Sequence, residues 1–284
     1  MSILPTDFLP HSSALAHALD AAAHVWLGEL KFTLTRYVIF AMGVWLVLWV
    51  VLAGWLRGRK IRDETPPARQ LVIEFLVSMR SMTIFATVAV GIDLMDRAGV
   101  YPLQSLAQSW GPIWFWTALA ITIVVHDAYF YWTHRLMHLP RFFRRTHRRH
   151  HRSNNPSPFT AYSFDLAEAG LMVLFFVVWP MIFPISWGVN ALFGIYQIAR
   201  NTLLHCGYEL MPARADGRPW LDFLTTTTHH DLHHGQAGYN YGAWFTWWDR
   251  WMGTEHPRYH AEYARAAGRR LLAPPEGQAE PLEA

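Results

Sequence analysis

Long apolar runs, interrupted by short polar segments, set the organisation of the chain up to residue 204. The first run, from Tyr37 to Leu56, is twenty residues long and has no charge. As a helix it would measure about 30 Å. A second run extends from about Leu71 to Met95, and a third from Pro112 to at least His138. Because each run is long enough to cross a bilayer, the pattern predicts three membrane-spanning helices.

A fourth apolar stretch, from Ala169 to Leu204, contains Pro180, Pro184 and Gly188 near its middle. Since proline and glycine interrupt helices, we predict two helices joined by a tight turn on the outer side of the membrane. The expected fold is an all-α, polytopic membrane protein with about five passes and its N-terminus outside. A re-entrant hairpin formed by the last two helices would leave the same sidedness.

Basic residues are concentrated in two of the connecting segments. Five lie between Arg57 and Arg69 and seven between Arg135 and Arg152, whereas the segment from Asp96 to Gly111 has one. The positive-inside rule therefore predicts that both basic segments are cytoplasmic. Hydrophobic residues make up 52% of the chain and charged residues 16%, which excludes an ordinary soluble domain. Membrane topology accounts for the basic segments, so we expect no nucleic-acid partner.

Histidine is the residue type that carries candidate chemistry. One cluster places two histidines four residues apart, and two later clusters share the pattern His-x-x-His-His. Residues three and four apart lie on one face of a helix, so each cluster can aim its imidazoles at one point. Eight neutral nitrogen donors suit two ions, and imidazole is a good ligand for iron, zinc, copper or nickel. The pattern predicts a dinuclear metal centre, carried by a cytoplasmic helical cap, with the ligands His134, His138, His147, His150, His151, His230, His233 and His234. The single Cys206 excludes a disulfide framework and a thiolate zinc site.

The three clusters and their surroundings resemble the fatty acid hydroxylase superfamily, which includes sterol C5-desaturases and C4-methyl oxidases. The first box spans residues 126–138, and the second is followed by residues 155–162. The third is followed by residues 240–242 and 248–254, so the match covers about Ile113 to Pro257. The resemblance implies an integral-membrane, O2-dependent enzyme with two iron ions that acts on a sterol-like or fatty-acyl lipid. Zinc is also compatible with the isolated protein.

The resemblance also indicates further site residues. His205 resembles the histidine that the family places between its second and third boxes, which makes it a ninth candidate ligand. Asn201, one turn earlier, and Asp231, inside the third box, are the candidate catalytic residues. His229 competes with His230 as a ligand, but His230 matches the pattern of the second box.

Other polar residues near the boxes have supporting roles. His126 lies two helical turns before the first box, too far for the same ion, so we expect a polar core residue or a lining of the substrate channel. Asp249 is expected to form a structural ion pair with Arg250. A ligating imidazole usually donates its second N–H to a carboxylate or a carbonyl. The acids near the boxes are Asp127, Asp165, Glu168, Asp231 and Asp249.

The chain divides into three predicted segments. Residues 1–110 hold an N-terminal segment, of which residues 1–33 could form a surface helix, and the first two membrane helices. Residues 111–260 form the catalytic domain, and residues 261–284 a flexible tail that ends in an acidic stretch. The N-terminus lacks the features of a signal peptide, so we expect a multi-pass protein of a bacterial inner membrane or the endoplasmic reticulum.

Electrons are expected to come from outside the chain. It has no Gly-rich dinucleotide fingerprint and no recognisable redox domain, so a cytochrome b5-, ferredoxin- or reductase-like partner is predicted besides the lipid and the bilayer. A metal transporter is an alternative, although transporters place polar groups along their spans. A metal-dependent lipid hydrolase is another, although it would normally add carboxylate ligands. The sequence leaves hydroxylation and desaturation equally open.

Overall fold

The computed structural model describes residues 9–269, and within that range every regular element is a helix. The α-helices are α1 (Leu9–Tyr37), α2 (Gly43–Trp45), α3 (Ala68–Arg97), α4 (Leu103–Ser109), α5 (Gly111–Met137), α6 (Pro140–Thr146), α7 (Leu166–Ile182), α8 (Trp187–Leu204), α9 (Thr227–Gly235), α10 (Trp247–Trp251) and α11 (Tyr259–Ala266). Two π-helical segments, Val38–Met42 and Leu46–Val51, flank α2, and three 3-10 turns are Arg57–Arg59, His150–Arg152 and Pro158–Tyr162.

Three of the five predicted passes correspond to helices that are long and apolar enough to cross a membrane. They are Leu15–Val51, Ala68–Arg97 and Gly111–Met137. The second and third follow the predicted apolar runs closely, because those runs have no internal proline or long polar interruption. The all-helical fold class is therefore confirmed for the described residues, with three candidate membrane-spanning helices.

The first predicted pass has different bounds in the structure. Instead of a surface helix followed by a span that ends at Leu56, the helix runs without a break from Leu9 to Val51. The backbone leaves the helix at Leu52, and Leu56 is buried against Cys206 and Tyr208. The last apolar residues of the run thus pack against a later loop.

The fourth apolar stretch is broken where its prolines predict. α7 ends at Ile182 and α8 begins at Trp187, with Pro184 in the link. Pro180 is accommodated inside α7. The two helices have 17 and 18 residues, about 26 Å each. Whether they form the fourth and fifth passes or a re-entrant hairpin stays a prediction.

A buried 3-10 turn, Pro158–Tyr162, ties the helices together just beyond the second histidine cluster. The hydroxyls of Tyr37 and Ser78 both donate to the carbonyl of Phe159, at 3.2 and 3.0 Å. Glu74, buried in α3, accepts hydrogen bonds from Ser157 and Gln70. Buried polar groups need such partners, so these contacts fix the turn between α1 and α3.

The C-terminal segment is ordered further than predicted. α11 crosses the proposed start of the tail at residue 261, and its Tyr259 and Tyr263 are buried with Met211 and Leu232 in one apolar cluster. This burial explains why the chain stays helical there. The acidic stretch at residues 274–284 lies outside the described residues.

Candidate metal centre

Nine histidine side chains converge in two neighbouring groups. In each group one ring nitrogen per residue lies within 4.8 Å of the others. The first group contains His134, His138, His147, His151 and His233. The second contains His150, His205, His230 and His234. These are the nine residues that the sequence indicates as ligands, and the structure brings all of them together.

Local helix geometry explains how the residues are distributed. His134 and His138 lie one turn apart at the end of α5 and both face the first group. In the second box, His147 and His151 lie one turn apart and join that group, whereas His150 points to the other.

The third box is divided in the same way. On α9, His230 and His234 share one face and join the second group, while His233 turns to the first. His205 caps the end of α8 and completes the second group. The second and third boxes therefore contribute to both groups.

Backbone carbonyls orient several of the rings. Nδ1 of His134 donates to the carbonyl of Tyr241 at 2.8 Å, and Nδ1 of His233 donates to Tyr239 at 2.6 Å. Nδ1 of His205 lies 2.7 Å from its own helix carbonyl at Asn201. A carbonyl can only accept, so each of these rings carries its proton on Nδ1. Their Nε2 atoms are unprotonated and face the interior of the groups.

This arrangement fits cations at both groups. Nε2 of His134 lies 2.9 Å from Nε2 of His147, and Nδ1 of His147 lies 2.8 Å from Oε1 of the Glu168 carboxylate. Because Nδ1 of His134 carries the proton, its Nε2 offers a lone pair to a cation. Despite the short distance to Glu168, Nδ1 of His147 makes no hydrogen bond within the described chain. In the second group, neither ring nitrogen of the buried His234 has a hydrogen-bond partner within the described chain.

Burial keeps the rings in the form that binds metal. It lowers the pKa of His151 to about 3 and that of His205 to about 4. Five further rings have a pKa well below the ordinary value of histidine. The main cause is burial, and the neighbouring imidazoles add to it. These rings are His147, His150, His230, His233 and His234. Neutral imidazole is the ligand form, so the groups are ready for metal at neutral pH.

The nearby acids support the boxes from outside. Glu168 is the acid that contacts a ring of the first group, and Asp165 accepts the backbone N–H of Arg149 at 2.7 Å. Asp249 accepts the backbone N–H groups of Tyr241 and Gly242, both at 2.8 Å. It therefore holds the segment whose carbonyl orients His134.

The ion pair predicted between Asp249 and Arg250 does not form. Arg250 pairs with Asp222 at 3.0 Å and with Glu255 at 2.9 Å. Asp249 is fully buried, and backbone donors satisfy it in place of a guanidinium.

The two candidate catalytic residues make structural contacts. Both carboxylate oxygens of Asp231 accept from Nε of Arg62, at 2.9 and 3.0 Å, and its catalytic role stays a prediction. The side-chain amide of Asn201 donates to the carbonyl of Ala161. Asn201 also lines a small cavity that touches His230, so a catalytic role for it stays a prediction.

The histidines expected to lie outside the metal site do so within the described chain. His126 accepts a hydrogen bond from the indole of Trp244 at 3.1 Å, as expected of a polar core residue. His229 is buried 3.7 Å from Asp249 and belongs to neither group, which favours His230 in the third box. His260 pairs with Asp222.

Sequence analysis missed Arg62 and the carbonyls of Tyr239 and Tyr241. Backbone carbonyls carry no residue signature, and the pairing of Arg62 with Asp231 joins residues 169 positions apart. The charge pattern around Arg62 indicates only a basic loop.

Two neighbouring cavities lie near the histidine groups, and the smaller one is lined by one of the histidines. A cavity of about 460 Å³ lies between α1, α3, α7 and α8. A smaller one, of about 20 Å³, borders His230, Phe130 and Trp244. Tyr162, Met172 and Gln197 line both cavities.

Comparison with known proteins agrees with this geometry. Residues 119–254 match the fatty acid hydroxylase family. The chain is 26% identical to a Delta(7)-sterol 5(6)-desaturase of Aspergillus fumigatus, over 64% of this chain and 52% of that protein. It is 27% identical to lathosterol oxidase of Mus musculus, over 66% of this chain and 62% of that protein. It is 32% identical to lathosterol oxidase of Homo sapiens, over 44% of this chain and 40% of that protein.

The chain thus spans between about half and three fifths of the length of the first two relatives. No solved structure matches it. The matched family domain contains the first two histidine boxes, His205 and the third box, and the sterol desaturase relatives agree with it. The family match and these relatives together support assignment of the chain to the fatty acid hydroxylase superfamily.

Proposed function

We propose that this protein is a membrane-bound, O2-dependent lipid oxidoreductase that hydroxylates or desaturates a sterol-like or fatty-acyl lipid at a di-iron centre. The observation that carries the proposal is the convergence of nine imidazoles, eight of them buried, in two adjacent groups. A cavity of about 460 Å³ between α1, α3, α7 and α8 offers space for a lipid. The names of its relatives, sterol desaturase and lathosterol oxidase, support oxidation as the reaction class.

The residues of the chain would prepare the site in three ways. The two histidine groups would each hold one iron ion, and iron supplies the O2-dependent redox chemistry that an unactivated C–H bond requires. The carbonyls of Tyr239 and Tyr241 fix the orientations of His233 and His134, and Glu168 lies 2.8 Å from Nδ1 of His147. Phe130 and Trp244 border the small cavity at His230 and limit access of water to it.

An exposed basic surface lies beside the centre. Arg144, Arg145, Arg148 and Arg152 are exposed on the segment that carries the second box. An acidic electron donor of the cytochrome b5, ferredoxin or reductase type would be attracted to this surface. Electrons would then enter through the same segment that contributes His147, His150 and His151.

The proposal is tested by product analysis. Purified, iron-loaded protein is supplied with a chemical reductant, O2 and a lipid extract of its host, and the products are separated by mass spectrometry. We expect a lipid that gains one oxygen or loses two hydrogens, and the mass change distinguishes hydroxylation from desaturation. The His150→Ala variant serves as the inactive control. Release of a fatty acid or a head group without O2 consumption would instead support a hydrolase and overturn the proposal.

A further inference from the structure

The larger cavity is lined mainly by apolar side chains, but an arginine also contributes to its wall. Phe85, Met172 and Phe176 contribute apolar side chains to its wall. Arg36 also lines it, although this residue lies within the candidate membrane span Leu15–Val51. A charged side chain at such a position is costly and usually marks a functional contact.

Within the described residues, the guanidinium of Arg36 is not fully satisfied. Its Nε is buried and has no hydrogen-bond partner. The group stacks on Phe32, with Cζ 4.1 Å from the ring centroid. This stacking supports the charge but gives the Nε–H group no acceptor.

An unpartnered acceptor lies on the neighbouring wall. Asn190 of α8 lines the same cavity, and its Oδ1 is buried with no hydrogen-bond partner in the described part of the chain. One turn further along α8, a Cβ atom at Gly194 would lie 3.3 Å from Nη1 of Arg36. Asn190 therefore lies one helical turn along α8, an axial rise of about 6 Å, from the point where the guanidinium approaches the helix.

A donor and an acceptor at this spacing select a group that can both accept and donate. A hydroxyl does both, whereas a carboxylate only accepts. Glu29, two turns before Arg36 on α1, lines the same cavity and already supplies negative charge, which disfavours an anionic head group. We propose that the cavity binds a lipid alcohol whose hydroxyl lies between Arg36 and Asn190.

The position of this polar pair also indicates which part of the lipid reaches the metal. Gly194 precedes His205 by eleven residues along α8, which corresponds to about 16 Å. Tyr162, Met172 and Gln197 line both this cavity and the smaller cavity that borders His230. The inference rests on the proposed function, and it places the oxidised carbon far from the hydroxyl.

The test uses three probes that share one carbon chain length. Radiolabelled hexadecanol, palmitate and hexadecane are bound to the purified, metal-loaded full chain in detergent. We expect the Kd of hexadecanol to be about tenfold lower than that of palmitate or hexadecane, which corresponds to about 1.4 kcal/mol of binding free energy. Palmitate binding as tightly as hexadecanol, or equal binding of all three probes, would overturn the assignment.

Variants connect this preference to the two residues. Arg36→Met and Asn190→Leu are expected to reduce hexadecanol binding to the level of hexadecane, whereas Arg214→Met, at an exposed ion pair, keeps it. Metal content is measured on every sample. If both variants keep normal metal content and still prefer hexadecanol, the assignment of the hydroxyl site to Arg36 and Asn190 is contradicted, but the proposed function is not. If the wild-type protein cannot hold metal, the proposed function is contradicted.

Discussion

At the scale of single residues, the two histidine groups share no member, so they can be tested separately. We expect purified protein to hold about two metal ions per chain, one for each group, and iron in the active form. His150→Ala leaves three imidazoles in its group and His233→Ala leaves four. Each variant should lose activity and up to one ion, with the larger loss in His150→Ala, as measured by elemental analysis of membrane-purified protein.

The matched control is His24→Ala, because His24 is exposed on α1 and outside both groups. It should keep the metal content and activity of the natural chain. Normal metal occupancy in both His150→Ala and His233→Ala would refute the ligand assignment.

Glu168 gives a second prediction at this scale. Its carboxylate lies 2.8 Å from Nδ1 of His147, and loss of such a partner usually weakens metal binding about 10–100-fold. Glu168→Gln should therefore release metal to a chelator more readily than the natural chain. Glu74→Gln is the control, since Glu74 is equally buried but accepts from Ser157 and Gln70. Equal metal release from the two variants would show that burial alone explains the effect.

Much of the candidate site could be predicted from residue spacing. His134 and His138 are four apart on a helix, so helical periodicity alone places their rings together. The division of each His-x-x-His-His box between two groups could not be predicted, because it depends on how α9 and the turn at His150 are packed against each other. The role of Glu168 needed the fold as well, because several acids lie equally near the boxes in sequence.

At the scale of elements, the turn after α9 depends on close backbone packing at Gly242. A Cβ atom there would lie 2.6 Å from the carbonyl oxygen of Phe245 and 2.9 Å from Oδ2 of Asp249. Gly242→Leu should therefore destabilise the protein by about 1–3 kcal/mol and reduce activity, because the neighbouring carbonyl of Tyr241 orients His134. Thermal unfolding and product formation measure the two effects.

Gly238 provides the control for this substitution. A Cβ atom at Gly238 meets nothing within 4 Å, so Gly238→Leu should leave both stability and activity close to those of the natural chain. Full activity and expression of Gly242→Leu would contradict the close packing described at this position.

The ends of a helix could be predicted from the sequence where a continuous apolar run determines its length. α3 and α5 match their predicted spans because these runs are continuous. The length of the first helix was wrong, since residues before Tyr37 are too polar to signal a span by themselves. They remain helical as the start of the long helix that packs against α3, where the indole of Trp26 bonds to Thr87.

At the scale of the whole molecule, a common metal centre requires all three boxes on one side of the membrane. Single cysteines at Asn154 and Gly238 lie at exposed positions after the second and third boxes. We expect a membrane-impermeant thiol reagent to label both from the cytoplasmic side. A cysteine at Ser105, exposed on α4, should react from the opposite side.

The natural chain supplies the baseline for this labelling, because its one cysteine, Cys206, is buried. Labelling of positions 154 and 238 from opposite faces would exclude a shared site. Labelling of both from the outer face would keep the site but reverse the predicted orientation.

The nine histidines belong to four stretches of chain that extend over a hundred residues. Helices can enter the bilayer before these stretches meet, so assembly of the centre becomes a late step in the biogenesis of the protein. Metal binding at these groups would then contribute directly to folding, because it would join ligands that are distant in sequence. A newly inserted chain that lacks iron would expose an unfinished core to cellular quality control. The abundance of the enzyme, and not only its turnover, would then follow the supply of iron in the cell.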